Sequence, residues 1–461
     1  MNGTRLINFE DTTVQFAALF CICLVLCSFI GFPVVVPDSR RYLGGAAVFQ
    51  MSHEAPTLFP FLLRPLYLLF GPWAFVVANC ALAAFVSIHI TRIFTDKFLL
   101  ITPLLSLLVS MMLLNMTFVM MDVQAVFGVL LLMVILFQKN NLLVKFILGL
   151  CVLSHNSSLL ILGITMFLVA IIVRDKKFIF NCIVVLACSI LCLSFYNYKL
   201  EGRFSPLPDH ASQFLVAKLI VDTPEAMDGY IAAYPESAFS SHWNDFKNKH
   251  QDQFGDDDGA LEHLLLWDKD GLLMSTGKDN LSMESGRFVT YVLTHYTAHY
   301  IATSLKNFMN FFLRFDRGKY AVEAFSSWNG YDFHDFADQY FPSQKDDILL
   351  GAQHANRLQF FYVASITTPV FILALIFNLL VIVSYCVSSR CDYRMFVLSV
   401  IAVVFFLTNA FVSANFGINT SGGRFFVRAF WPLILNMFLC MECFYRNRKS
   451  LHGSAIFDKQ V

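Results

Sequence analysis

Long apolar runs separated by short polar stretches set the rhythm of this chain. Runs of about 18 or more residues recur, and each is long enough to cross a bilayer as a helix. The pattern predicts spans at 16–36, 73–91, 98–115, 120–138, 178–197, 359–388, 395–416 and 425–444. Pro60, Pro65 and Pro72 break the apolar stretch 59–91. A short interfacial piece around Phe61–Phe70 is expected to precede the span there, because proline interrupts a helix interior.

Residues 143–173 depart from this pattern. They are apolar, yet Ser154-His155-Asn156-Ser157-Ser158 interrupts them midway. Lys139 and Lys145 precede the stretch, and Arg174, Lys176 and Lys177 follow it. If both flanks face the cytoplasm, the stretch is a hairpin of two short helices with a polar tip inside the protein. One long tilted span is the competing reading. With the hairpin, the basic loops at Arg92/Lys97, Lys139/Lys145, Arg174–Lys177 and Arg390/Arg394, and the tail, share one side, the cytoplasmic one. The 37–58 loop, the turn near Met116–Asp122, the long polar segment and Gly417–Arg424 then share the other.

The expected architecture is an α-helical polytopic membrane protein of about nine spans plus a helical hairpin. It divides into an N-terminal transmembrane module (1–198), an extracytoplasmic domain (199–358), a C-terminal transmembrane module (359–445) and a cytoplasmic tail (446–461). The 199–358 segment alternates turn signals (Ser205-Pro-Leu-Pro, Asp222-Thr-Pro-Glu, Asp256-Asp-Asp-Gly) with apolar pieces. Phe214–Val221 and Leu264–Trp267 read as buried, and the segment as a small, mostly helical domain. Arg287–Phe315 reads as one aromatic-rich helix lying in the membrane interface.

Composition agrees. Of 461 residues, 57% are hydrophobic and 14% charged, far from a soluble balance. The 33 basic and 33 acidic residues cancel, so bulk charge implies no nucleic-acid partner. The first apolar run has no convincing small-residue cleavage site and reads as a span rather than a signal peptide. None of the cysteines falls between Cys192 and Cys386, which excludes a disulfide framework in the long polar segment. Cys21 and Cys23 read as helix packing.

Candidate chemistry gathers on the side opposite the basic loops. Asp38 opens the first loop in Pro37-Asp38-Ser39-Arg40-Arg41-Tyr42. A carboxylate there can take a proton from a hydroxyl. Arg40 and Arg41 suit phosphate oxygens, or one of them neutralises Asp38. Arg64, in Arg64-Pro65-Leu66-Tyr67, needs a partner: Asp38, a lipid phosphate, or the water it can snorkel to. Asp122 either caps a helix or adds a second site carboxylate. His155 at the hairpin tip either donates to a phosphate or acceptor, or is a satisfied core residue. Arg424 and Arg428, four apart, share a helix face behind Gly422-Gly423 and point to phosphate or to headgroup anchoring. Other signals are weak. Asp268-Lys-Asp-Gly lacks the ligands of a calcium loop, and His295/His299 lack a metalloprotease glutamate. Asn280 is a glycosylation acceptor only in an endoplasmic reticulum lumen.

On these residues the chain resembles the GT-C superfamily of membrane glycosyltransferases, in its bacterial, polyprenyl-phosphate-sugar-dependent branch. The resemblance rests on Asp38-Ser-x-x-Tyr42, Arg64-Pro-x-Tyr67, Met121-Asp122-Val, Ser154-His155-x-Ser157 and Gly423-Arg424 with Arg428-x-x-Trp431-Pro432. It implies inverting sugar transfer from a polyprenyl-phosphate donor to a cell-envelope glycan or lipid acceptor. Asp38 would be the base, and Arg40, Arg41, Arg64, Arg424 and Arg428 would hold the donor phosphate. Tyr42, Tyr67, Asp122 and His155 would be further site residues. It places the protein in the bacterial inner membrane with its site on the periplasmic side. Many members of that family carry an acidic pair in the first loop; here only Asp38 and, further on, Glu54 are present. No cofactor is therefore expected, and a divalent metal is not supported. A surface-polysaccharide polymerase or ligase, and a flippase of lipid-linked substrate, are the alternatives.

Overall fold

The structure is a computed structural model of the chain. It describes residues 12–29, 33, 39–52, 56–94, 100–110, 112–119, 121, 123–138, 141–250, 260–267, 271–276, 278–313, 364–388, 392–416 and 428–457. Every element among them is a helix. Two compact units emerge, one of Met1–Ile190, Gly318–Thr408 and Val427–Val461, the other of Leu191–Arg317 and Asn409–Phe426.

The chain opens with α1 (Thr12–Ser28), α2 (Ser39–Val48), α3 (Leu58–Phe70) and α4 (Trp73–Phe94). Then come α5 (Ile101–Val109), α6 (Met112–Met116), α7 (Gln124–Phe137), α8 (Leu142–Val152), α9 (Asn156–Val173) and α10 (Lys176–Glu201). After a further set of helices, α18 (Ala364–Ser388), α19 (Tyr393–Phe416) and α20 (Phe430–Phe457) close the chain. Five stretches are long and apolar enough to cross a membrane: Trp73–Phe94, Asn156–Val173, Lys176–Glu201, Thr367–Ser388 and Tyr393–Asn415. Shorter apolar helices accompany them. The architecture is that of an α-helical, multi-pass membrane protein.

Helix α7 is apolar on every side, and its residues from Gln124 to Leu136 are all buried. A helix of that composition belongs in the middle of a bundle, and α4, α8, α9 and α20 surround it.

Side-chain hydrogen bonds sort the helix ends of this unit into two levels. At one level, Cys27 of α1 reaches the Leu113 carbonyl, and Asn79 of α4 donates to the Met116 carbonyl at 3.0 Å. At the same level Thr367 of α18 donates to the Val109 carbonyl at 2.9 Å, while Trp431 of α20 donates to Ser106, midway along α5, at 2.9 Å. At the opposite level His89 of α4 meets Gln138 at 3.1 Å, Thr102 of α5 meets Glu442 of α20 at 2.8 Å, and Arg394 of α19 meets the Ile93 carbonyl at 2.8 Å. The second level carries Arg92 and Arg394, two of the basic positions that the sequence places together.

Three predicted elements come out differently. The 98–115 run is two helices, α5 and α6, not one. The carbonyls at the break serve side chains of other helices, Val109 for Thr367 and Leu113 for Cys27. The 143–173 run is broken at Ser154-His155 as expected, but its second half, α9, is itself long enough to span. Helix α20 runs on to Phe457, past the end of its apolar stretch.

The second unit contains α11 (Asp209–Asp222), α12 (Pro224–Ala233), α13 (Ser240–Lys249), α14 (Ala260–Trp267), α15 (Leu272–Thr276), α16 (Lys278–His295) and α17 (Thr297–Leu313). The predicted buried pieces lie in its core, through Val216, Leu219, Ile220, Leu265 and Leu266, packed with Tyr230, Trp243 and Phe288. The expected single helix 287–315 is two, divided at Tyr296. There the Tyr296 hydroxyl reaches the Glu225 carbonyl at 3.4 Å. Gly229 of α12 makes room, since a Cβ would stand 2.8 Å from the Tyr296 hydroxyl and 2.9 Å from that of Tyr291.

Candidate functional site

The first-loop motif runs straight into a helix. Asp38 lies outside the described residues, and Ser39, buried, is the first residue of α2. Tyr42, Leu43 and Ala46 form the inward face of α2, while Arg40 is exposed and Arg41 half-buried. The spacing of Tyr42 and Ala46 puts them on one helical face. Both motif tyrosines are buried in one cluster: Tyr42 and Tyr67 pack with Phe59, Leu63, Phe75 and Met121. Leu150, just before the Ser154 break, packs against the same cluster. Gly45 lets α2 close on the start of α3, for a Cβ there would lie 2.9 Å from Thr57 Cβ and 3.1 Å from Pro60 Cβ.

Among the described residues, Arg64 of α3 meets backbone carbonyls rather than an acid. Its Nη1 donates to the Ala47 carbonyl and lies 3.5 Å from that of Ala46. These are carbonyls of the last turn of α2, where a cation is favoured. Its guanidinium carbon also stands 4.5 Å over the Phe49 ring. Phe49 ends α2 at φ 56°, a left-handed conformation that costs a bulky residue roughly 1–2 kcal/mol. The Phe49 ring is held from the other side by an edge contact with Phe61, centroids 5.5 Å apart. Nε and Nη2 of Arg64 have no hydrogen-bond partner among the described residues.

Asp122 lies outside the described residues, but Met121 and Val123 beside it are buried. The Ser154 hydroxyl donates to the Cys151 carbonyl at 2.6 Å and lies 3.5 Å from the Met121 carbonyl. His155 caps α9: its Nδ1 accepts the Ser157 N–H at 3.1 Å and lies 2.7 Å from Ser157 Oγ. With Nδ1 accepting, the neutral ring carries its proton on Nε2.

Arg424 lies outside the described residues. Arg428 is 2% exposed, two residues ahead of α20. Its neighbour Trp431 packs edge-on against Phe127 of α7, centroids 6.0 Å apart, and Phe430 stacks on Phe371 of α18 at 4.0 Å. The C-terminal motif therefore meets α7 one turn beyond Val123. Motif segments that are far apart in the sequence share one level of this unit: Tyr42, Tyr67, Met121, Ser154 and, through Trp431 and Phe127, Arg428.

Sequence reasoning missed Asn79, Gln124 and Phe49. Asn79 is a single amide in an apolar span, and Phe49 an ordinary aromatic in a loop, so nothing local marks either. Among the described residues no three His, Cys, Asp or Glu side chains converge as a metal site would require. His299 instead faces Glu225 at 3.7 Å, and His295 stacks on Tyr291 at 4.3 Å. Residues 268–270 lie outside the described residues.

No protein-family model matches the chain, and no curated protein matches it. Among solved structures the chain is similar to ArnT from Cupriavidus metallidurans bound to undecaprenyl phosphate, at 11% identity and a TM-score of 0.32. The match covers 94% of this chain and 78% of that one.

Proposed function

We propose that this protein is a membrane glycosyltransferase. It moves a sugar from a polyprenyl-phosphate donor to a glycan or lipid acceptor at the extracytoplasmic face. The observation that carries this reading is the gathering of the motif segments at one level of the bundle, around Tyr42, Tyr67, Met121 and Ser154. Arg428 is buried at that level, and an ionisable side chain inside a membrane bundle is costly enough to mark a functional site.

In this reading Asp38 takes the acceptor hydroxyl proton while the oxygen attacks the anomeric carbon. The sugar–phosphate bond breaks with inversion, and the lipid phosphate leaves with the electron pair. Arg40, exposed at the start of α2, and Arg41, Arg424 and Arg428 stabilise its charge. Arg64 contributes its free edge, Nε and Nη2, while Nη1 holds the end of α2. His155 donates through Nε2–H. No metal takes part.

Asp38→Asn keeps the shape of the side chain and removes its basicity. With purified protein and a radiolabelled polyprenyl-phosphate sugar, turnover should fall by roughly 100- to 10,000-fold. Donor binding should stay near the wild-type level. Near-wild-type transfer by a well-folded Asp38→Asn protein would remove Asp38 as the base. Absence of transfer by the wild type across a panel of donors and acceptors would remove the enzyme reading itself.

A further inference from the structure

Residues 117–123 link α6 to α7 and contain Asp122. One side chain holds both ends of this link. Asn79, fully buried on α4, donates its Nδ2 to the carbonyl of Met116, the last residue of α6, at 3.0 Å. Its Oδ1 accepts from Nε2 of Gln124, the first residue of α7, at 2.8 Å.

The chemistry fixes both amides. A backbone carbonyl only accepts, so Asn79 must present its NH2 to Met116. Its oxygen then faces Gln124, which must present its own NH2 in turn. Neither amide can flip without setting two like groups against each other. Gln124 Oε1 is consequently buried without a partner among the described residues. A buried acceptor left unmade is costly, so the bridge persists against a local penalty. Met121 is held independently, close to Ser154 on the far side.

We propose that Asn79, acting through Gln124, is a positioning residue. It sets the spacing between the end of α6 and the head of α7, and so the geometry of the 117–123 link within the candidate site. The consequence for catalysis rests on the glycosyltransferase reading; the consequence for the link does not.

Hydrogen–deuterium exchange of the purified protein separates the two. Asn79→Leu and Gln124→Leu should each speed exchange across 117–123 by about tenfold while the middles of α4 and α7 stay protected. The double variant should add little to the larger single effect, because both singles break one bridge. In sugar transfer each single variant should lose about 10- to 100-fold in kcat with donor KM within about threefold, the pattern of a misplaced group rather than lost binding. Unchanged exchange at 117–123 in folded Asn79→Leu overturns the proposal, as do additive effects in the double variant. Should Asn79→Leu fail to accumulate, Gln124→Leu decides alone, since it spares the Met116 bond: protected 117–123 amides in it overturn the proposal equally. If wild-type protein transfers no sugar, the exchange results still settle the positioning role and only the functional reading falls.

Discussion

The two units bury polar side chains by different means. In the first, the buried partners are mostly neutral. Asn436 donates to Asn378 at 2.7 Å and to Ser399 at 3.0 Å, and Asn378 donates to the Leu433 carbonyl at 3.1 Å, tying α18, α19 and α20 together. The Asn79–Gln124 bridge is the same device. In the second unit the buried partners are charged. Lys218 meets Asp222 at 2.8 Å with both side chains under a tenth exposed, and Asp222 also accepts from Asn307 at 2.9 Å. Glu284 accepts from Tyr230 and Ser237, both at 2.7 Å. Burial and the neighbouring Glu284 carboxylate push the Tyr230 phenol above its usual range.

Desolvation bears on the contrast. A helix that crosses lipid leaves no water to repay the desolvation of an ion, so neutral amides and hydroxyls are the cheaper glue. Surrounding a carboxylate with donors, as the second unit does for Glu284, offsets part of that cost. Among the described residues, Arg428 is the one charged side chain that is fully buried in the first unit.

The largest effect should come from the charged pair. Lys218→Met leaves the Asp222 carboxylate buried with Asn307 still donating to it at 2.9 Å, and breaking such a pair costs about 3–5 kcal/mol. Lys218→Met combined with Asp222→Asn should recover most of that loss, because no charge is then stranded. Denaturation monitored by Trp243 fluorescence, in the core of the second unit, measures both. A single variant as stable as wild type would mean that the pair is solvated, and the contrast between the units would lose its charged half.

Next is the amide network. Asn436→Leu removes the two interhelical hydrogen bonds and a weak one accepted from Cys440 within α20, but no charge, and interhelical bonds of this kind are worth roughly 0.6–2 kcal/mol. Thermal stability of purified protein should drop by a few degrees, clearly less than for Lys218→Met. A larger drop than the ion-pair variant gives would reverse the comparison.

Much of this was readable from the chain, and the misses share a cause. The Trp73–Phe94, Lys176–Glu201 and Tyr393–Phe416 helices follow their apolar runs within a few residues, because length and hydropathy suffice for a buried or lipid-facing helix. The Ser154-His155 break was legible too, since polar residues in mid-span demand partners. The α5–α6 break was not: nothing in Leu108–Leu113 disfavours a helix, and the side chains that take its carbonyls come from Cys27 and Thr367. In the site, residue types pointed to Arg64 and His155 but not to what they touch. That Arg64 caps α2 depends on where α2 ends, and that end is set by Phe49 in a conformation its sequence does not favour.

The smallest effect tests the membrane unit where it meets water. Asp392 stands just before α19. Its Oδ1 accepts the Arg394 backbone N–H at 2.8 Å, and its Oδ2 accepts from Arg394 Nη2 at 2.6 Å. The side-chain hydrogen bonds from Arg394 hold this carboxyl below the usual carboxylate range, against the opposing pull of partial burial. A carboxyl whose folded pKa is depressed contributes stability that is complete above its unfolded pKa and lost as pH falls through the lower folded value. Both partners are about a third or more exposed, so solvent screening leaves well under about 1 kcal/mol. Asp392→Asn keeps an acceptor for the helix cap and discards the ion. At neutral pH the variant should melt about 1–3 °C below wild type, and the gap should narrow as the pH falls through the usual carboxylate range and below it. A gap that stays constant across that range would assign the whole effect to capping, and ion pairing would then contribute nothing measurable even at the solvent-facing end of this bundle.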